Sequence, residues 1–327
     1  MKKVLLLIVA ALLLAGCGGE KKTKAQKPLY DLTSGKAVPK FSGENAYKYV
    51  EEQVAFGPRN PNSQGAKMAL QYFKNFFEQN CDKFELQNFI YTGYQNEKLD
   101  LTNIIAKYKP EAKRRIILCA HWDTRPRAEQ DKNEANKHKP ILGANDGGSG
   151  TGVLMEIARI LKENPVDYGV DIILFDGEDY GEASDLDNFC IGSKYFGATK
   201  DPSYQPVFAI LLDLIGDIDA KYPQDPESMS KAPEVVNMVW RIAQDIGASR
   251  FISATGSGIY DDHVALNQNG IKAINIIDSD IVGADSDIER KNYWHTQNDT
   301  MENIDKEALQ QVGDVLVKLI YSLKFNR

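Results

Sequence analysis

Arg115-Ile116-Ile117-Leu118-Cys119-Ala120-His121-Trp122-Asp123-Thr124 and Asp171-Ile172-Ile173-Leu174-Phe175-Asp176-Gly177-Glu178-Asp179 share one pattern. In each, a mostly apolar run of strand length passes straight into His or carboxylate. Neither run alternates apolar with polar residues, which marks a strand buried on both faces. Working outward, comparable runs lie at Lys83–Tyr91, Leu101–Tyr108, Val207–Leu212, Phe251–Ala254 and Ile271–Ile276. Helical spacing of apolar residues marks Ala46–Val54, Gln64–Gln79, Gly152–Glu163, Ser193–Gly197, Pro233–Ile246 and Lys306–Leu323. Strands among amphipathic helices predict a single α/β domain, its mixed, mostly parallel central sheet flanked by helices on both faces. The polar stretch around Gly93–Lys98 joins the first two strands as an antiparallel edge hairpin. The one long irregular segment is Arg125–Pro140. Long loops in compact domains are commonly functional, and this one directly follows a candidate site.

The amino-terminal residues read as an address rather than as fold. Met1-Lys2-Lys3 is positive, Val4–Ala15 is unbroken apolar, and the run closes on Gly16-Cys17. It is too short for a resident membrane helix, which needs about 20 apolar residues, but suits a signal peptide. Small residues followed by Cys resemble the bacterial lipoprotein signal, in which Cys17 is lipidated. Residues 1–17 are therefore read as signal, 18–44 as a flexible tether, and 45–327 as the folded domain that carries the candidate site. Acyl chains on Cys17 would anchor the chain to a membrane. That places it in the bacterial cell envelope, facing the periplasm or associated with the outer membrane.

Composition narrows the rest. At 43% hydrophobic and 26% charged residues, the chain is too apolar for disorder and too charged for a polytopic membrane protein. Its net charge of −7, without a long basic run, excludes non-specific nucleic-acid binding. Four Cys in 327 residues exclude a disulfide scaffold. Cys119 ends a buried strand as an inert thiol, while a Cys81–Cys190 pair stays open. No long apolar surface pattern stands out, so a monomer is expected.

Polar residues gather where the predicted strands end. Val207–Leu212 runs into Asp213, a Gly-rich turn places Asp146 just before a helix, and Asp261-Asp262-His263 and Trp294-His295-Thr296 follow later. Open α/β sheets bind ligands beyond the carboxyl ends of their strands. Several acids gathered there repel one another unless a cation neutralises them. Asp and His donors without a Cys-x-x-Cys pair suit Zn²⁺ in an open catalytic site. By contrast, His138 reads as solvent-exposed and Trp240 as core, and His263 reads as orienting Asp261 or Asp262.

The order His121-x-Asp123, Asp146, Glu178-Asp179, Asp213, His295 resembles the co-catalytic zinc exopeptidase superfamily. Leu211-Leu212-Asp213-Leu214-Ile215-Gly216, Asp261-Asp262-His263 and Tyr293-Trp294-His295-Thr296 are more similar to its glutaminyl-peptide cyclotransferases, especially those of bacterial lipoproteins. The resemblance runs from about Tyr49 through the last helix. It implies one Zn²⁺ held by Asp146, Asp179 and His295, Glu178 as acid/base, and Asp213 with Asp261 as a buried acid pair. It further implies Trp294, Phe189 and Asp262 as substrate-binding residues. Phe189 is the nearest aromatic to a position where the family tends to place Trp. His121 and Asp123 stand at a second-metal or vestigial position.

The implied reaction is intramolecular. A peptide or protein with amino-terminal Gln closes to pyroglutamate and releases ammonia. The alternative is a dinuclear zinc aminopeptidase, in which His121 and Asp213 hold a second ion and Asp146 bridges. A third reading, a non-catalytic peptide-binding lipoprotein, sits poorly with the presence of Glu178 and every expected metal position.

Overall fold

The computed structural model describes residues 29–33, 37–182 and 185–326. Cys17 and the predicted signal lie outside the described residues, as does Ser184. The strands are β1 (Tyr30–Leu32), β2 (Lys83–Thr92), β3 (Lys98–Tyr108), β4 (Arg115–His121), β5 (Gly169–Phe175), β6 (Ala209–Asp213), β7 (Tyr222–Gln224), β8 (Phe251–Thr255), β9 (Ala273–Ile277) and β10 (Leu323–Phe325). The helices are α1 (Gly43–Val54), α2 (Gln64–Asn80), α3 (Ser149–Glu163), α4 (Ile191–Thr199), α5 (Pro226–Lys231), α6 (Pro233–Ile246), α7 (Asp262–Gln268) and α8 (Lys306–Ser322). Local chemistry starts several of them. Ser42, Ser63 and Asp305 accept backbone N–H groups at the starts of α1, α2 and α8.

The central sheet has six strands in the order β2-β3-β5-β4-β6-β9. β2–β3 and β3–β5 pair antiparallel, while β4–β5, β4–β6 and β6–β9 pair parallel. Alternate residues of one strand serve opposite cores, as the two-residue period of a strand requires. Ile116, Leu118 and Ala120 of β4 join residues of α1, α2, α3, α6 and α8. Ile117 and Cys119 face the other way, toward Phe196 of α4 and Leu266 of α7. Burial on both faces is the physical reason β4 and β5 read as continuous apolar runs. Their carboxyl ends, with that of β6, open on the same edge.

Two expectations change, and one question left open closes. Phe251–Thr255 is a strand, but it pairs in parallel with β7 outside the central sheet. Its exposed carboxyl half could not sit in a buried sheet. The segment expected to be tether is partly built into the domain. β1 pairs antiparallel with β10, and the Phe41 ring packs over Gly313 of α8, where no Cβ would fit. Finally, Cys81, Cys119 and Cys190 are free buried thiols, so Cys81 and Cys190 do not pair. Among the described residues no helix is long and apolar enough to cross a membrane.

Candidate active site

Strand ends and tight turns bring the site together. β4 delivers His121 as its last residue, β6 delivers Asp213, and Gly177, at φ +71°, turns the chain after β5 so that Glu178 and Asp179 follow. Asp146 precedes α3 in a turn that only glycine permits. Gly147 has φ +86°, and a Cβ there would strike the Asp123 carbonyl. Asp299 fixes the same turn by accepting Asn145 N–H at 2.8 Å and Asp146 N–H at 3.0 Å. Arg59, fully buried, donates to the carbonyls of Trp122, Leu142 and Gly143 and so pins the neighbouring loops.

Asp146, Asp179 and His295 form one group able to hold a metal ion, with ligand atoms all within 4.8 Å of one another. His295 Nε2 lies 3.3 Å from Asp179 Oδ1 and 3.7 Å from Asp146 Oδ2. Its other ring nitrogen, Nδ1, is 2.9 Å from Glu129 Oε1, which leaves Nε2 for a cation. Asp146 Oδ2 and Asp179 Oδ2 are buried without a hydrogen-bond partner. Orphaned carboxylate oxygens beside a free imidazole nitrogen fit a cation and little else. A second group shares Asp146: His121 Nε2 lies 3.2 Å from both Asp146 Oδ1 and Asp213 Oδ1.

Electrostatics separates the acids. Burial pushes Glu178 well above the usual carboxylate range, helped by the charges of Asp261, Asp179 and Asp262 and opposed by His121. Burial, with Asp213 nearby, lifts Asp261 to about 7. Burial would also raise Asp179, but His295 and Arg125 hold it well below its ordinary value. The site thus keeps one carboxylate ionised for a cation and another poised to carry a proton.

These groups face a cavity of 270 Å³ lined by Phe189, Leu214, Ile259, Tyr260 and Trp294 together with Glu178 and the candidate metal ligands. The Trp294 ring stacks on that of His295, centroids 3.3 Å apart. Phe189 lies 5.1 Å below the Arg125 guanidinium. Larger hollows of 600 and 760 Å³ elsewhere are lined by none of the candidate metal ligands. Three non-glycine residues at this site take left-handed backbone: Cys190 at φ +52°, Leu214 at +49° and His295 at +53°. Such conformations cost energy and persist where surrounding contacts enforce them.

A sequence model of peptidase family M28 matches residues 103–320. The chain belongs to peptidase family M28. Among solved structures, this M28 chain is similar to a Bacteroides thetaiotaomicron glutaminyl cyclase bound to N-acetylhistamine. The two are 39% identical with TM-score 0.83, over 87% of this chain and 99% of that one. It is also similar to Tannerella forsythia glutaminyl cyclase, at 40% identity and TM-score 0.82, over 86% and 99% of the two chains. Aminopeptidase YwaD of Bacillus subtilis is 30% identical over 237 residues, 67% of this chain but 44% of that protein.

Most predicted residues of the M28 site converge: Glu178, Asp179, Asp146, His295, Asp213, Asp261, Trp294 and Phe189 all line the cavity, and His121 lies beside Asp146. Three roles change. Asp123 stands outside the candidate ligand groups, and its two oxygens accept the backbone N–H groups of Glu178 and Asp179, at 3.0 and 3.2 Å. Asp262 lies fully buried at the start of α7, bonded by Ser193, and is absent from the cavity wall. His263 faces Asp225, 3.1 Å from Nε2, rather than Asp261 or Asp262. Asp213 and Asp261 border the same cavity but have separate partners: His121 for the first, Asn275 and the Asp262 N–H for the second.

Sequence reasoning missed Arg125, Glu129, Cys190, Asp299 and Arg59. Arg125 directly follows the His-x-Asp-Thr stretch, a usable signal. Glu129 stands among other loop charges and carries none.

Proposed function

We propose that this chain is a zinc-dependent glutaminyl-peptide cyclotransferase that converts amino-terminal Gln of peptides and proteins to pyroglutamate, releasing ammonia. Similarity across 99% of a glutaminyl cyclase, with the acid, cation-ligand and aromatic positions gathered at one cavity, carries this reading. Asp146, Asp179 and His295 would hold Zn²⁺, whose two oxygen donors and one nitrogen donor leave a position open for substrate. When bound, the ion supplies Lewis acidity to polarise the γ-carboxamide oxygen.

The protein residues do the rest. Trp294 and Phe189 flank the slim Gln side chain and exclude water, which favours ring closure over hydrolysis. The substrate α-amine attacks the γ-carbon, closing a five-membered lactam. Glu178 takes the amine proton and returns it to the departing nitrogen, which leaves as ammonia. A carboxylate raised by burial suits both halves of that transfer. Positioning comes from Asp123, which fixes the backbone of Glu178 and Asp179. Attachment to the cell envelope through lipidated Cys17 belongs to this proposal and is supported by residues 1–17.

A second reading has its own observation. The set His121, Asp146 and Asp213 could take another cation and make a dinuclear aminopeptidase. One experiment separates the two. The chain lacking residues 1–17 is given Gln-peptides and Ala-peptides, and ammonia and free amino acid are measured separately. Ammonia from Gln-peptides with one zinc per chain supports the cyclotransferase. Free Gln or Ala without ammonia, with two metals, supports the aminopeptidase.

A further inference from the structure

The start of the Arg125–Pro140 loop has no chemical step in the proposed reaction, yet it is bonded to two of the three candidate metal ligands. Arg125 is the pivot and is buried. Its Nη1 donates to Asp179 Oδ1 at 2.8 Å and to the Asp179 carbonyl at 3.0 Å. Its Nε and Nη2 donate to Glu129 Oε1 at 2.9 and 2.6 Å. Glu129 Oε1 also lies 2.9 Å from His295 Nδ1. Backbone contacts repeat the connection: Gln130 N–H donates to the His295 carbonyl at 3.2 Å, and Gln297 N–H to Asp131 Oδ2 at 3.0 Å. On the other side, Arg127 donates to the Tyr180 carbonyl at 2.9 Å and to that of Gly181, the residues following Asp179.

Asp179 and His295 are far apart in the chain, and each stands on its own irregular segment. One short stretch, Arg125 to Asp131, ties these two segments together. The charges around it balance in pairs. Asp146 and Asp179 would offset a divalent cation, while Arg125 and Glu129 offset each other. Replacing the Glu129 carboxylate by an uncharged side chain would leave the guanidinium with Asp179 alone of these two carboxylates and weaken the Nδ1 contact that sets the His295 ring.

We infer that Arg125–Asp131 is a clamp linked to the metal: Glu129 is a positioning residue that sets the His295 ring for the cation, and cation occupancy and order of this stretch are coupled. The inference rests on the reading that Asp146, Asp179 and His295 form the metal site. Coupling is reciprocal: whatever the clamp adds to cation affinity, the cation adds to the order of the clamp. An outer-shell carboxylate on a ligating His is commonly worth 10–100-fold in affinity.

Arg125 distinguishes a clamp from simple electrostatics. Acting only through its charge, it would repel the cation, and Arg125→Met would bind zinc more tightly. As the pivot, its loss weakens binding.

The test uses the chain lacking residues 1–17 and zinc alone as probe. Zinc affinity is read by competition with a chromophoric chelator, and backbone deuterium exchange over residues 125–131 is followed with and without zinc. Glu129→Gln is expected to weaken zinc binding about 10–100-fold, Arg125→Met to weaken it, and Glu129→Asp, which keeps the charge, to weaken it less than Glu129→Gln. Zinc is expected to slow exchange over 125–131 in the wild type and to slow it less in both Glu129 variants. Zinc affinity within twofold of wild type in Glu129→Gln overturns the inference, as does tighter binding in Arg125→Met or exchange indifferent to zinc. Should Glu129→Gln not fold, tighter binding in Arg125→Met or wild-type exchange over 125–131 indifferent to zinc still overturns it. Failure of the underlying metal site looks different: zinc binding in the wild type would be absent or would survive His295→Ala.

Discussion

The Cys190 thiol donates to Glu178 Oε1 across 3.2 Å, and Cys190 N–H donates to the Glu178 carbonyl at 2.9 Å. Cys190 is fully buried, and burial, with the nearby Glu178 charge, pushes its thiol far above its ordinary value. It therefore stays protonated and serves as a donor that orients the proposed acid/base. Cys190→Ala removes that donor without adding bulk at a left-handed residue. The expected result is a kcat about 10-fold lower, the worth of one hydrogen bond of roughly 1.4 kcal/mol, with KM little changed. Cys190→Ser, which keeps a donor, should recover most of the loss. Equal damage from both variants would mean that the thiol only fills space.

Glu178→Gln tests the proton transfer itself. The amide matches the carboxylate in shape but cannot take a proton from the substrate amine. General acid–base catalysis is commonly worth about 10²–10⁴-fold, so kcat should fall by that amount. Zinc content should not change, because Glu178 lies outside the Asp146, Asp179 and His295 group. Activity assay and metal analysis on one preparation check both halves. Surviving turnover would falsify the acid/base assignment.

The pH profile follows from the same acids. Glu178 must be ionised to accept the amine proton, so kcat/KM falls as pH drops through its folded-state value. Burial and then neighbouring negative charges hold that value above the usual range, so the acid limb should lie above about 4.3, the ordinary Glu value. Asp261 is one of those charges. Asp261→Asn removes that charge and its repulsion, makes ionisation of Glu178 easier, and should move the acid limb to lower pH. A limb that stays in place or moves up would remove Asp261 from the electrostatic account.

How much of this was legible beforehand varied with the physics. β4, β5, β6 and β9 lie in the middle or on the parallel side of a sheet covered on both faces, so their apolar runs announced them. The acids after β4, β5 and β6 were legible because strand ends are where an α/β sheet binds ligands. Asp123 misled because His-x-Asp reads the same whether the Asp binds metal or backbone N–H. Only the turn after β5, which brings two amides to its oxygens, decides between them. Glu129 was hidden because its partner His295 lies 166 positions away. The placement of β8 was misjudged because local apolarity cannot show which neighbour a strand will find.

The amino-terminal segment offers a prediction that separates tether from fold. β1 pairs with β10, and Tyr30 meets Phe208 and Phe325 edge-on at 5.6 and 6.2 Å. A chain beginning at Val38 lacks these contacts and leaves β10 unpaired. Phe208 is fully buried, so removing Tyr30 uncovers apolar surface that the intact chain protects. Half-burial of one aromatic ring and a three-residue strand pairing together are worth about 1–2 kcal/mol. For a domain of this size that corresponds to a Tm lower by roughly 2–4 °C. A chain beginning at Gly18 keeps β1 and should melt with the full-length protein. The active site lies at the carboxyl ends of β4, β5 and β6, away from the β1–β10 ribbon, so kcat at low temperature should match in both shortened chains. Scanning calorimetry on the two chains reads the difference directly. Equal melting temperatures would return Tyr30–Leu32 to the tether.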